Sequence, residues 1–263
     1  MSFPYQHFLL IGATSGIGAA MADRLIANGA KVTAVGRRQD RLDAFVQKHG
    51  AEKASAVAFD ISKTEQIAGF VADVTARFPS IDCVFLNAGL QRPYDLSTPE
   101  GFALEKFLYE VQVDFTNVVL LTHAFLPFLK SKAENGGVGG FLFTGTNLAI
   151  VPAAPMPAYS AAKAALNAFV LCLRHQLQKT NVKVIEVSPP AVQTELHDYM
   201  TPEVGRNVGM PLDQFVDQAF AGLQSGKDQV VVGSILAEDR FHEIVNKRRE
   251  AFEELAAIFD KLH

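Results

Sequence analysis

Short apolar runs alternate with longer segments of helical periodicity along the chain. The apolar runs predict strands at residues 7–11, 31–36, 55–60, 81–87, 140–146, 182–188 and 229–233. The segments between them predict helices near residues 16–28, 39–49, 64–77, 101–130, 158–179 and 211–225. Residues 8–11 and 84–86 are apolar at every position, which is typical of strands buried on both faces. Such strands alternating with helices predict a doubly wound, Rossmann-like α/β fold, with about seven parallel strands and helices on both faces of the sheet.

The last segment, residues 237–263, predicts a charged helix beyond the sheet. Its apolar residues follow a four-three spacing that Arg248 interrupts: Phe241, Val245, Phe252, Leu255 and Phe259. Amphipathic surface helices commonly pack on their own domain, and a contact with a second copy of the chain is the alternative. No linker, repeat or low-complexity tract divides the sequence. We therefore expect a single domain over residues 1–263, with 237–263 as a helical extension.

Composition and charge narrow the class of partner. The chain has 263 residues, 49% of them hydrophobic, which is enough for a large core. Its net charge is −4 and its basic residues are scattered, so nothing indicates nucleic acid or an anionic membrane. A small-molecule partner is favoured, and a symmetric homo-oligomer is expected because such assemblies are common among soluble proteins.

The first apolar run and the cysteines indicate the compartment. Residues 8–11 form a run that is too short for a signal peptide or a membrane span. Cys83 and Cys172 both lie in apolar stretches, so we expect two small buried residues rather than a disulfide. These features predict a soluble cytoplasmic protein, and we expect no metal site.

A glycine-rich turn follows the first predicted strand and leads directly into a helix. It reads Gly12-Ala13-Thr14-Ser15-Gly16-Ile17-Gly18. A helix N-terminus offers unpaired N–H groups and a positive dipole to a pyrophosphate. Gly12 would permit the turn, Gly16 the approach of phosphate and Gly18 the packing of helix on sheet. The sequence thus predicts a dinucleotide-binding turn, and a loop without a ligand is the alternative.

The end of the second strand carries arginines where an acidic residue would favour NAD. The sequence there is Val35-Gly36-Arg37-Arg38. Because a guanidinium binds phosphate through two hydrogen bonds, we predict NADP(H) as the cofactor. Arg37 is expected to be the principal contact of the 2′-phosphate and Arg38 the secondary one. The alternative is that both are solvated surface charges.

Tyr159 and Lys163 lie four residues apart in a predicted helix and therefore share one face. The ammonium of Lys163 would stabilise the phenolate of Tyr159 and so lower the tyrosine pKa. A tyrosine with a lowered pKa is a usable proton donor and acceptor. Such a pair also arises by chance, so its context has to support the interpretation.

That context resembles the short-chain dehydrogenase/reductase family over about residues 5–235. The motifs occur in the order and spacing of that family: the glycine turn, Asp60, Asn87-Ala88-Gly89 and Tyr159-Ser160-Ala161-Ala162-Lys163. The resemblance implies that Asp60 and Ile61 border the adenine and that 87–89 support the sheet and the cofactor. It also implies that Lys163 binds the nicotinamide ribose, that Tyr159 transfers the proton, and that the protein forms a homodimer or homotetramer.

The sequence departs from the family pattern at three places. Thr146 stands where the family has a serine that holds the substrate oxygen, and Thr144 is a further candidate for that hydroxyl. Asp114 stands where the family has an asparagine that holds a relay water. A carboxylate only accepts hydrogen bonds unless it is protonated, so the relay is expected to be altered. Asn117 is in the wrong register to replace it.

The third departure follows the sixth predicted strand, where Pro189-Pro190 replaces the family's Pro-Gly. Proline fixes φ and lacks an N–H, which predicts a stiffer loop over the nicotinamide. The resemblance places Pro189, Val192 and Thr194 at the cofactor, with Thr194 on the carboxamide.

These motifs together predict an NADP(H)-dependent oxidoreductase that reduces a ketone or aldehyde, or oxidises the alcohol. Thr146 and Tyr159 would hold the oxygen, and Asp114 would act in the relay. Loops at residues 90–99, 147–158 and 193–212 are rich in apolar residues and methionine, which predicts a hydrophobic substrate. The alternatives are a catalytically silent dinucleotide-binding sensor or scaffold, and a methyltransferase, which would leave the Tyr159 and Lys163 pair unexplained.

Overall fold

Seven parallel strands form one sheet in the computed structural model, which describes residues 3–262. The strands are β1 His7–Ile11, β2 Lys31–Gly36, β3 Ala54–Ala58, β4 Cys83–Leu86, β5 Gly139–Thr144, β6 Val182–Ser188 and β7 Gln229–Val231. Their order in the sheet is β3-β2-β1-β4-β5-β6-β7, and every neighbouring pair is parallel. The predicted Rossmann-like α/β fold is therefore confirmed.

Helices connect the strands and cover both faces of the sheet. They are α1 Gly16–Ala27, α2 Gln39–His49, α3 Ile67–Arg77, α4 Leu104–Val111, α5 Asn117–Glu134, α6 Pro157–Leu177, α7 Pro202–Gly205, α8 Leu212–Gln224 and α9 Glu238–Asp260. The helix predicted at residues 101–130 is instead α4 and α5, joined by the π-helical turn Gln112–Thr116. Short 3₁₀ turns lie at Thr64–Gln66, Asn147–Ala149 and Glu195–His197.

The two faces of the sheet have separate cores because side chains alternate along a strand. In β1, Phe8 and Leu10 face the layer that contains α1, α2 and α8. Leu9 and Ile11 face the layer that contains α3, α5 and α6. All four side chains are buried. Each contributes about 1.5–3 kcal/mol by the usual value for burying a large apolar side chain.

The strand order reverses beside β1, which lies between β2 and β4. The chain moves from β1 outward through β2 and β3, then returns and continues from β4 in the opposite direction. In open parallel sheets such a reversal leaves a crevice at the carboxyl ends of the strands. The turns that follow β1, β4, β5 and β6 all open on that edge.

The C-terminal helix packs on its own domain through its first half. Phe241 and Val245 of α9 are buried, whereas Leu255 and Phe259 are each more than half exposed. The interpretation of packing on the same domain thus holds for the first half of α9. A contact between copies stays a prediction. The outer limits predicted for the domain and its extension, residues 1, 2 and 263, lie outside the described residues.

The two cysteines differ, contrary to the expectation that both are buried. Cys83 of β4 is buried, but Cys172 of α6 is exposed, and both thiols are free. Cys172 lies in a helical run that is apolar on all sides, so the sequence did not reveal which position faces outward.

One helical stretch within residues 3–262, Leu104–Glu134, is long and apolar enough to cross a membrane by length and composition alone. Its residues Leu121, Phe125 and Leu129 are fully buried in the core beneath the sheet. Packing on the sheet therefore accounts for its apolar character. The expected absence of a membrane partner stays a prediction.

Candidate active site

The glycine turn between β1 and α1 is packed too closely for side chains at two of its glycines. Gly12 and Gly16 have φ of +90° and +52°, a region that favours glycine. A Cβ on Gly12 would lie 2.6 Å from the backbone nitrogen of Ala88, and one on Gly18 would collide with the carbonyl of Gly12. The turn thus brings its backbone close to Ala88 and leads directly into the N-terminus of α1. That feature fits the pyrophosphate of a dinucleotide.

Asn87 ties this turn to the neighbouring strands. Its Nδ2 donates to the carbonyl oxygen of Gly12 at 3.0 Å, and its Oδ1 accepts a hydrogen bond from the Thr144 hydroxyl at 2.8 Å. The hydroxyl of Thr144 is therefore engaged in structure. Thr146 is the better candidate for holding a substrate oxygen.

The segment expected to border the adenine lies after β3. Asp60 accepts a hydrogen bond from the backbone of Ser62 at 3.0 Å, and Ile61 is buried. Asn117 donates from Nδ2 to the carbonyl of Ile61 at 2.7 Å. Asn117 thus supports the segment after β3 and does not stand in for Asp114.

Arg38, rather than Arg37, reaches the glycine turn. Its Nη2 donates to the Ser15 hydroxyl at 2.5 Å and to the Thr14 hydroxyl at 3.0 Å. Arg37 is exposed to solvent. Arg38 occupies the N-cap position of α2, and its side chain turns back to the hydroxyls of Thr14 and Ser15. The expected roles of the two arginines at a 2′-phosphate stay predictions.

Tyr159, Lys163 and Thr146 meet at the carboxyl edge of the sheet. Tyr159 and Lys163 lie in the first two turns of α6, and only 6% of Tyr159 and 3% of Lys163 is exposed. The Lys163 Nζ donates to the carbonyl of Thr144 at 3.0 Å and lies 5.7 Å from the Tyr159 ring centroid. The hydroxyl of Thr146 accepts from the Leu148 N–H at 3.2 Å. Thr146 also hydrogen-bonds the Tyr159 side chain, so the structure brings the three predicted groups together.

The electrostatic effect on Tyr159 is opposite to the expected one. Burial raises the pKa of Tyr159 above its ordinary value, and the charge of Asp114 raises it further, while Thr146 acts against them. Burial also lowers the pKa of Lys163, against the attraction of Asp114 and Glu186. The net pKa of Tyr159 is thus raised where a lowered one was expected, because burial and the charge of Asp114 dominate.

Asp114 lies in the π-helical turn and is fully buried. Its Oδ1 accepts a hydrogen bond from the Leu90 N–H at 2.9 Å, whereas its Oδ2 has no partner among residues 3–262. Burial raises the pKa of Asp114 to about 7, although Lys163 acts against this. The pKa of this carboxyl therefore lies close to neutral pH, where its protonated and ionised forms coexist.

A second buried carboxylate, Glu110, was missed in the sequence. It accepts hydrogen bonds from the Tyr94 hydroxyl at 3.1 Å and the Arg92 N–H at 3.3 Å. Glu110 precedes Asp114 by four residues on an apolar helix, so the spacing was a usable signal.

The three loops expected around the substrate do converge. The Tyr94 N–H donates to the carbonyl of Pro155 at 2.9 Å, which joins the loop after β4 to the loop after β5. The Tyr199 hydroxyl donates to Gln91 Oε1 at 3.2 Å, which joins the loop after β6 to the first. These contacts link the three loops to one another.

A buried polar network lies under the site and reaches the C-terminal helix. Asn167, one turn after Lys163, donates from Nδ2 to both carboxylate oxygens of Glu186, at 2.8 and 3.1 Å. Arg248 of α9 donates to the Asn167 Oδ1. Glu186 leaves no room for a Cβ on Gly145, between the two candidate threonines. The extension thus supports the floor of the site, which the sequence did not indicate.

Of the remaining residues expected at the cofactor, which lie in the loop after β6, Thr194 lies beside the glycine turn. Val192 and Thr194 are buried, and a Cβ on Gly16 would lie 3.2 Å from the Cβ of Thr194. The carbonyl of Pro189 accepts from the Asn147 N–H at 2.9 Å. The loop after β6 therefore packs directly on the turn that would hold the pyrophosphate.

Comparisons with known proteins agree with this geometry. Residues 6–205 match the family model described as short chain dehydrogenase. The chain is 31% identical over 225 residues to DltE, an uncharacterized oxidoreductase of Bacillus subtilis, covering 84% of this chain and 86% of that protein.

Two solved structures share the fold. A short chain dehydrogenase from Burkholderia cenocepacia in complex with NADP has 26% identity and a TM-score of 0.76, covering 97% of this chain and 99% of the other. A 3-ketoacyl-(acyl-carrier-protein) reductase from Brucella melitensis complexed with NADH has 26% identity and a TM-score of 0.76, covering 89% and 98%. The related structures thus carry different nicotinamide cofactors.

Proposed function

This chain belongs to the short-chain dehydrogenase family, and from that premise we propose that it is an NADP(H)-dependent oxidoreductase. It reduces a ketone or aldehyde of a hydrophobic small molecule, or oxidises the corresponding alcohol. The observation that carries the proposal is the meeting of Tyr159, Lys163 and Thr146 beside the glycine turn.

The residues around the crevice have the chemistry to hold the cofactor. Backbone of the turn at 12–18 would bind the pyrophosphate, and Arg38 the 2′-phosphate. The remaining contacts are assigned to Asp60, Ile61, Asn87, Ala88, Gly89, Lys163, Pro189, Val192 and Thr194. When bound, the cofactor supplies or accepts a hydride at its nicotinamide ring.

The proton comes from Tyr159. Its hydroxyl and that of Thr146 hold the carbonyl oxygen by hydrogen bonds, and Tyr159 donates its proton to that oxygen as negative charge develops. Burial keeps Tyr159 protonated at neutral pH, which suits a donor in the reductive direction. Lys163 is fixed by the carbonyl of Thr144 and offers positive charge beside the phenol.

Two carboxylates in the surrounding loops are already paired with arginines, which favours a hydrophobic substrate. Asp198 is paired with Arg206 at 3.1 Å, and Glu195 is paired with arginines at the glycine turn. Neither carboxylate is therefore free to bind a substrate cation. Apolar side chains such as Leu148 and Met156 remain at this part of the site.

Oxidation of NADPH by the purified protein, with a panel of apolar ketones, aldehydes and quinones, tests the proposal. Turnover that requires both NADPH and a carbonyl compound supports it. NADPH binding without turnover on any member of the panel replaces it with the dinucleotide-sensor alternative. The expected homodimer or homotetramer and the cytoplasmic location remain part of the proposal, and light scattering tests the first.

The roles of the two arginines give a matched pair of variants. Arg38→Ala is expected to weaken NADPH binding about tenfold or more, because it removes charge-assisted hydrogen bonds at the proposed 2′-phosphate site. Arg37→Ala carries the same loss of charge on an exposed side chain and should change NADPH affinity little. Fluorescence titration with NADPH and NADH measures both. Equal effects of the two substitutions would contradict the assignment.

A further inference from the structure

Glu195, in the loop after β6, bridges two arginines at the glycine turn. Its Oε2 accepts from Arg38 Nη1 at 2.8 Å, and its Oε1 accepts from Arg41 Nη1 at 2.8 Å. The glutamate lies 157 and 154 residues from these partners in the chain. The bridge therefore joins the loop at 193–212 to the start of α2, across the end of β1.

The two arginines are held in place by other bonds as well. Arg38 donates to the hydroxyls of Thr14 and Ser15, and Arg41 Nη1 donates to the carbonyl of Thr14 at 3.0 Å. Each guanidinium is therefore fixed on the turn independently of Glu195. Together they form a two-arginine anion site that a carboxylate fills.

The carboxylate in this site is ionised. Partial burial by itself raises the pKa of Glu195, but hydrogen bonds from Arg38 and Arg41 outweigh this, and the net pKa is lowered. An anion with two hydrogen-bonding oxygens on two guanidinium groups is the arrangement that a phosphate monoester would also adopt.

We propose, on the basis of the proposed NADP(H) function, that Glu195 is a specificity-determining latch. Its carboxylate occupies the anion site of Arg38 and Arg41 until the 2′-phosphate of the cofactor displaces it. Displacement is an exchange of one anion for another on the same two arginines. A cofactor without that phosphate leaves the ion pairs intact.

The ion pairs of Glu195 also restrain the loop at 193–212. Thr194, next to Glu195, packs against Gly16, and the Leu196 N–H donates to the Thr194 hydroxyl at 3.4 Å. Glu195 thus fastens this short turn onto the phosphate-binding backbone. When the 2′-phosphate binds the two arginines, the two ion pairs that join the loop at 193–212 to the rest of the domain through Glu195 are broken. NADPH therefore frees the loop beside the substrate, and NADH does not.

Calorimetric titration with 2′,5′-ADP and with 5′-AMP tests the latch directly, because these fragments differ in the 2′-phosphate and need no turnover. Glu195→Gln is expected to tighten 2′,5′-ADP binding about tenfold, given two partly exposed ion pairs, and to leave 5′-AMP unchanged. Glu203→Gln is the matched control, since Glu203 is exposed in the short helix α7 within the same segment and is not paired with either arginine. It should alter neither affinity appreciably.

The outcomes separate this proposal from the proposed function. If Glu195→Gln tightens both fragments equally, or leaves the affinity for 2′,5′-ADP unchanged, the latch is overturned. The proposed NADP(H)-dependent function stands in that case as long as the wild-type protein binds NADPH. No binding of NADPH or either fragment by the wild-type protein overturns the function itself. In the absence of nucleotide, amide hydrogen exchange at 193–212 should be faster in Glu195→Gln than in Glu203→Gln, and equal rates would also count against the latch.

Discussion

Replacing Tyr159 with phenylalanine should lower turnover about a hundred- to ten-thousandfold, the range for loss of a positioned general acid. The change removes one hydroxyl from a side chain that is 6% exposed, and the ring keeps its packing on α6. Cofactor binding should persist, because Lys163 and the glycine turn are untouched. Steady-state kinetics with NADPH and an accepted carbonyl compound give kcat, and fluorescence titration gives the affinity for NADPH.

Tyr199→Phe is the matched control for this experiment. The Tyr199 hydroxyl bonds to Gln91 at the rim of the site, 3.2 Å away, and has no part in the proposed proton transfer. Its loss should change KM more than kcat. Retention of turnover within about threefold in Tyr159→Phe would exclude the tyrosine as the proton donor.

The sequence was a good guide to the strands, and less so to their ends. Apolar runs located all seven strands because strands buried on both faces leave a continuous signal. Asn87 and Thr146 were placed inside strands, but both lie just beyond them, where the backbone leaves the ladder. A π-helical turn adds one residue to an otherwise regular pattern, so periodicity did not reveal the break between α4 and α5.

Local spacing also predicted part of the site. Tyr159 and Lys163 share a helix face whatever the tertiary structure, and the turn after β1 could be read from its glycines. Contacts made by packing left no such signal. The pairing of Glu195 with Arg41, and of Arg248 with Asn167, joins segments distant in sequence. That Arg38 reaches the glycine turn while Arg37 faces solvent depends on how the chain turns into α2.

The properties of Asp114 depend both on the local sequence and on tertiary packing. Its identity could be read from the sequence, but its pKa depends on groups that face it from several elements. Lys163 of α6 and Arg92 of the loop after β4 favour its charged form, and the Leu90 N–H does so as well. Glu110, one turn earlier on α4, opposes it. Burial outweighs the favourable groups, so the folded protein holds the proton more tightly than the unfolded chain does.

Asp114→Asn should consequently flatten the dependence of stability on pH. The pKa of Asp114 is raised from 3.8 to about 7 on folding. Its contribution to stability is thus full below about pH 4 and is lost as pH rises through about 7. At about 1.4 kcal/mol per pKa unit, the loss amounts to at most about 4 kcal/mol. Asparagine cannot ionise, so the variant does not undergo this loss of stability. Urea unfolding between about pH 5 and pH 8 measures the difference.

Asp73→Asn controls for the loss of a carboxylate in general, since Asp73 is exposed on α3. Its unfolding free energy should follow that of the wild-type protein at each pH. The unfolding free energy of Asp114→Asn should instead rise relative to that of the wild-type protein as the pH rises. Only the wild-type protein carries a buried group at position 114 that becomes charged in this pH range. Parallel curves for Asp114→Asn and wild type would mean that Asp114 is already ionised in the folded protein. The balance would then favour Lys163 over burial, and the carboxyl would serve the site as a permanent charge.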